Sequence, residues 1–151
     1  TISSNMNTVL FLNGPNINFL GKRNPAIYGA KTLQEINDAI SDKAKSLNVE
    51  AVFFQSNSEG DLIDCIQNHW GNINGIVINP GALTHYGYSL KDALLDSSVP
   101  VVEVHLSNIH SREEWRKSII SDIVSGQIAG FGWRSYIAAL DVISGLLSAK
   151  E

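Results

Sequence analysis

The chain has 151 residues, 44% of them hydrophobic, and a formal net charge of -4 at pH 7. That is enough for one domain with a substantial core, and no Pro/Gly/Ser-rich linker divides it. The acidic balance, with no basic stripe, argues against nucleic acid as a partner, and no apolar run approaches the roughly 18 residues of a membrane span.

Residues 1–5 carry no charged and apolar regions of a signal peptide, and Met6 is the only methionine. We read 1–5 as an appended remnant and 6–151 as the domain. The single cysteine, Cys65, cannot form an internal disulfide and lies in a helical pattern with Leu62, Ile63 and Ile66. A buried core thiol in a reducing cytoplasm is the reading that follows.

Thr8–Leu12 reads as the first strand. Its apolar run feeds a loop from Asn13 to Gly29 that is far longer than a β-to-α connection needs, and such loops carry function. Tyr28 and Arg23 are its two chemically useful side chains. A tyrosine is a poor base near neutrality because its ordinary pKa is about 10. A guanidinium about 4 Å away, at an effective dielectric of about 20, stabilises the phenolate by roughly 4 kcal/mol, about three pKa units. The competing reading is a solvated surface loop with an incidental tyrosine.

Helical spacing follows at Thr32–Leu47, where Leu33, Ile36, Ile40, Ala44 and Leu47 form one apolar face and Thr32 with Glu35 fits a capping box. Val49–Phe54 reads as strand two. The polar stretch Gln55–Gly60 after it could line a rim, but Ser58 is a good cap for the helix Ser58–Trp70, and a structural role is assigned to it. Gly75–Asn79 is strand three. It is followed by Asn79-Pro80-Gly81-Ala82-Leu83-Thr84-His85, in which Gly81 permits an unusual turn and Asn79 offers both an amide donor and an acceptor. A helix over Tyr86–Asp96 leads to strand four, Pro100–Leu106, which carries Glu103 and His105 at its end. His105 can exchange a proton near neutrality, although a lone strand-end histidine more often serves in structural hydrogen bonding.

Ser111–Val124 is mixed, with a short helical stretch beginning at Arg112, Glu113, Glu114 and Arg116. Such charges normally form a solvated face, and position alone draws attention to Arg116, whose planar fork suits a carboxylate. Gln127–Phe131 is a weaker fifth strand and Tyr136–Leu147 a closing helix. The alternation of strand and helix predicts an α/β fold: a three-layer, doubly wound parallel sheet, flavodoxin-like, with strand order 2-1-3-4-5. The first loop and the segments after strands three and four then meet at one rim.

Glu103, His105 and His110 could be assembled into a metal site on paper, but no ligand spacing supports it, and neither metal nor organic cofactor is expected. The glycines make no Walker or dinucleotide motif, and there is no G-x-S-x-G elbow.

The motifs Leu12-Asn13-Gly14-Pro15-Asn16, Leu20-Gly21-Lys22-Arg23 with Tyr28-Gly29, Gln55-Ser56-Asn57-Ser58-Glu59-Gly60, Asn79-Pro80-Gly81-Ala82 with Thr84-His85, and Glu103-Val104-His105-Leu106-Ser107-Asn108 with Arg112-Glu113 occur in order. Together, over about Val9–Leu147, the sequence resembles the type II 3-dehydroquinate dehydratases, lyases of the shikimate pathway. The resemblance implies dehydration of 3-dehydroquinate through an enolate, with Tyr28 as base, Arg23 lowering its pKa, Asn16 holding the phenol and His105 as acid. It implies substrate contacts from Asn79, His85, Leu106, Ser107 and Arg116. It further implies that Asp92 enters a neighbouring subunit's site in a homo-oligomer, a dodecamer built from trimers. An unrelated route to the same product uses a lysine Schiff base, but every lysine here falls in a helical, loop or terminal polar position. A catalytically silent flavodoxin-like binding module is the remaining alternative, and it leaves Tyr28, Arg23, Asn79 and His105 on one rim without a reason.

Overall fold

The computed structural model describes residues 6–149. The reading of residues 1–5 as a remnant lies outside the described residues. Five strands, β1 (Asn7–Asn13), β2 (Val49–Gln55), β3 (Gly75–Asn79), β4 (Val101–His105) and β5 (Gly126–Ala129), form one all-parallel sheet in the order β2-β1-β3-β4-β5. Five helices accompany them: α1 (Pro25–Tyr28), α2 (Leu33–Ser46), α3 (Glu59–Asn68), α4 (Tyr88–Asp96) and α5 (Arg134–Ser148). The expected architecture and strand order are those observed.

Period-two alternation decides which layer each side chain joins. Val9, Phe11, Val77, Val102 and Val104 pack with Ile36 and Ile40 of α2 and with Tyr136, Leu140 and Ile143 of α5. Leu10, Leu12, Ile76, Ile78 and Val101 point the other way, onto Leu62 and Ile66 of α3 and Leu90 and Leu94 of α4. Strands buried on both faces explain the continuous apolar runs. Each fully buried Leu, Ile or Phe contributes roughly 1.5–3 kcal/mol, so the two half-cores hold the strand ends in place. The Thr32–Glu35 capping box starts α2 as expected. Cys65 is a buried free thiol, held above its ordinary pKa by that burial.

The helical stretch expected from Arg112 does not form. A 3-10 turn at Ile109–Ser111 is followed by turns and irregular backbone up to β5. The segment is anchored from outside: Ile119 N–H donates to Thr84 O at 2.7 Å, and the Ser118 hydroxyl, which accepts from Ile120 N–H at 3.2 Å, donates to Glu103 Oε1 at 2.9 Å. Tertiary partners outbid the local propensity of a charged, mixed segment. Similarly, α4 begins at Tyr88 rather than Tyr86 because Gly81–His85 forms its own 3-10 turn.

The strand order reverses between β1 and β3, whose last residues Asn13 and Asn79 are register partners. The crevice beyond that point is where a fold of this kind places its ligands.

Candidate active site

Two loops meet backbone to backbone over this crevice. A Cβ on Gly14 would lie 2.4 Å from Pro80 O, and one on Gly81, which has φ of +60°, would lie 2.8 Å from Pro15 O. Only glycine permits both approaches. Gly14 N–H donates to Asn79 O at 2.8 Å, and the stretch after β2 braces the first loop from the other side: Gln55 Nε2 donates to Gly14 O at 3.1 Å, and Asn57 Oδ1 accepts from Asn16 N–H at 3.0 Å. Ser58 caps α3 by accepting from Asp61 N–H.

The cleft is lined by Asn16, Arg23, Tyr28, Asn79, His85, His105, Leu106, Ser107 and Arg116, all singled out in the sequence, together with Arg112. Asp92 is not among them. It lies exposed on α4.

Tyr28 ends the short helix α1, opened by Pro25. Two guanidinium groups reach it. The Arg23 guanidinium stacks over the ring, 4.5 Å from its centroid, whereas Arg112 Nη1 donates directly to Tyr28 Oη at 2.9 Å. The sequence reading gave Arg23 the whole activating role and left Arg112 on a solvated face. Arg112 is part-buried and also reaches Ser107 Oγ at 3.4 Å.

At the end of β4, His105 Nε2 and Glu103 Oε2 are 2.5 Å apart, and both side chains are buried. Glu103 also accepts from Thr84 Oγ1 at 2.8 Å and from Ser118 Oγ at 2.9 Å. Burial alone pushes the Glu103 carboxyl up, but the hydrogen bonds from His105, Thr84 and Ser118 outweigh it and hold the group below its ordinary value. An ionised carboxylate can only accept, so the His105 proton on this side sits on Nε2 and Nδ1 is the nitrogen left for exchange. The paper metal set is not assembled: His110 turns away to Gln127 Oε1 at 3.0 Å, and among the described residues no three His, Cys, Asp or Glu side chains group as ligands.

His85 Nδ1 faces Lys117 O at 2.8 Å, and a carbonyl only accepts, so Nδ1 carries hydrogen. Burial pushes its pKa down, aided by the charge of Arg116 and opposed by the Lys117 hydrogen bond. The neutral ring therefore offers Nε2 as an acceptor. Arg116 pairs through Nε with Glu113 and stacks on Trp115, 4.2 Å from its centroid. Asn79 is almost fully buried, with Nδ2 donating to Tyr136 Oη at 2.8 Å and Oδ1 accepting from Gly81 N–H at 3.2 Å.

Residue-by-residue reading gave Arg112 no part in the cleft, left Tyr136 unmarked, and weighed Glu103 only as a paper metal ligand. The spacing of Glu103 and His105, two apart on one strand face, was the available signal for the partner of His105. Nothing local marks Arg112 or Tyr136.

Chemically the cleft holds a phenol against two cations, an imidazole hydrogen-bonded to a carboxylate, and three arginines in a chain of net negative charge. That set suits acid–base chemistry on an anionic small molecule. Residues 7–144 match the family model described as dehydroquinase class II. A 3-dehydroquinate dehydratase of Herpetosiphon aurantiacus is 52% identical over 134 residues, covering 88% of this chain and 93% of that protein. One from Prochlorococcus marinus strain NATL1A is 54% identical over 136 residues, covering 89% and 94%. The crystal structure of a type II dehydroquinase from Butyrivibrio crossotus superposes with a TM-score of 0.89 at 45% identity, covering 91% of this chain and 97% of that one.

Proposed function

The chain belongs to the class II dehydroquinase family, and from that premise we propose that it dehydrates 3-dehydroquinate with Tyr28 as base and His105 as acid. The observation that carries this reading is the direct Arg112–Tyr28 hydrogen bond in the same cleft as the His105–Glu103 pair.

The Tyr28 phenolate takes a proton from the carbon between the ketone and the carbon bearing the hydroxyl and carboxylate. The released pair forms an enolate, whose oxygen is met by a water organised by Asn79. When the enolate collapses, the pair forms the new carbon–carbon double bond and the hydroxyl leaves, protonated by His105 to water. Arg23 over the ring and Arg112 at the oxygen favour the anionic phenolate, and Glu103 steadies the charged imidazole between proton transfers. Arg116 with the backbone N–H groups of Leu106 and Ser107 anchors the substrate carboxylate, His85 Nε2 accepts from a substrate hydroxyl, and Asn16 holds the phenol side of the cleft. Among the described residues no lysine lines the cleft, which supports the enolate route over a Schiff base. Asp92 completes a neighbour's cleft in a dodecamer of trimers.

The test is Tyr28→Phe, followed by the ultraviolet absorbance of the conjugated enone product. Turnover is expected to collapse while a carboxylate analogue still binds. Near-wild-type turnover would remove Tyr28 as base. Borohydride added with substrate should leave wild-type activity intact, and a trapped lysine adduct would replace the enolate route.

A further inference from the structure

Beneath the cleft, on the α5 face of the sheet, three buried polar side chains form a chain whose hydrogen-bond directions are all determined. Gly81 N–H can only donate, so the Asn79 atom facing it at 3.2 Å is Oδ1. The other amide atom, Nδ2, therefore faces Tyr136 Oη at 2.8 Å and donates to it. Having accepted there, the phenol sends its own proton to Asn13 Oδ1, 2.6 Å away. Asn13, Asn79 and Tyr136 are 1%, 3% and 1% exposed, so no bulk water competes for these positions. Asn13 and Asn79 share this face because they continue the alternation of Phe11 and Val77, and they are register partners at the fold's switch point.

We propose that Tyr136 is a positioning residue for the dehydration: its hydroxyl locks the Asn79 amide so that one N–H alone is left for the cleft. The inference rests on the reading of Asn79 as the organiser of the enolate water. With Tyr136 Oη occupying one of the two Nδ2 hydrogens and Gly81 one side of Oδ1, the remaining N–H has a fixed direction. A phenol can serve both as acceptor from Asn79 and as donor to Asn13, which no apolar ring of the same shape can do. Burial also pushes its pKa well up, so it stays a neutral donor over any working pH.

Tyr136→Phe removes one oxygen and keeps the ring in the core. By the reasoning of a double-mutant cycle, it should lower kcat by about 10- to 100-fold with KM and carboxylate-analogue affinity changed less than about threefold, and in an Asn79→Ala background it should change kcat by less than about twofold. An equal loss in both backgrounds would overturn the inference, because Tyr136 would then act otherwise than through Asn79. So would wild-type kcat in folded Tyr136→Phe beside a slow Asn79→Ala. Wild-type kcat in Asn79→Ala would instead remove the reading on which the inference rests. Should Tyr136→Phe fail to fold, Asn13→Ala frees the phenol's proton to turn toward Asn79 and submits to the same cycle, with the same pattern expected and the same equal loss overturning it.

Discussion

Arg112 and Arg23 both bring positive charge to Tyr28, but not to the same place. A phenolate carries most of its charge on oxygen, and Arg112 Nη1 is hydrogen-bonded to that oxygen while Arg23 lies against the ring face. Arg112→Ala should therefore lower kcat near neutrality by about 100-fold, and by more than Arg23→Ala does. The reverse order in measured rates would return the main activating role to Arg23. Glu103 yields a second residue-scale expectation. Its folded-state carboxyl is held below the ordinary 4.5, with burial opposing and the His105, Thr84 and Ser118 hydrogen bonds prevailing. On acidification the unfolded chain therefore takes up this proton first, which favours unfolding. The contribution to stability is complete above about the ordinary value and is lost as pH falls through the lower folded one. Urea titrations of wild type should lose stability over that acid window, and Glu103→Gln should show a shallower loss; an identical slope would mean the carboxyl is not held ionised.

At the scale of elements, what the sequence made legible is what periodicity encodes. The apolar runs of β1, β3 and β4 and the spacing of α2 announce a parallel sheet with covered faces, and the right-handed crossover rule does the rest. The segment from Arg112 to Val124 was not legible, because it is anchored by partners remote in sequence: Ile119 N–H donates to Thr84 O, and the Ser118 side chain meets Thr84 and Glu103. The same cause hid Arg112 and Tyr136: each meets its partner across more than 50 residues, 84 for Arg112–Tyr28 and 57 for Tyr136–Asn79. Ser58 shows the opposite case, a local signal with a local outcome, since its side chain accepts from Asp61 N–H at the start of α3. Ser58→Ala should cost about 1 kcal/mol, lowering the melting temperature by roughly 2–4 °C, with kcat unchanged. A fall in kcat at unchanged melting temperature would give Ser58 a part in the cleft that its capping geometry does not suggest.

At the scale of the whole molecule, the face of α4 that carries Asp92 is the part the single chain leaves unexplained. Tyr88, Asp92 and Leu95 fall at i, i+4 and i+7, on one side of the helix, while Leu90, Ala93 and Leu94 are buried against the sheet layer. Tyr88 and Leu95 are 64% and 56% exposed, large apolar surface on either side of a carboxylate. A second copy of this chain seated there would cover both and bring Asp92 to the neighbour's cleft, where three arginines await an acidic side chain or substrate. Asp92→Ala should then weaken substrate binding or loop closure. Mixed with Tyr28→Phe under conditions of proven subunit exchange, it should recover activity, because some clefts then draw an intact Tyr28 from one chain and an intact Asp92 from another. Light scattering at assay concentration gives the independent measurement. A fully active monomer would refute the assembly, and absence of recovery after exchange would place both side chains in a single subunit's function.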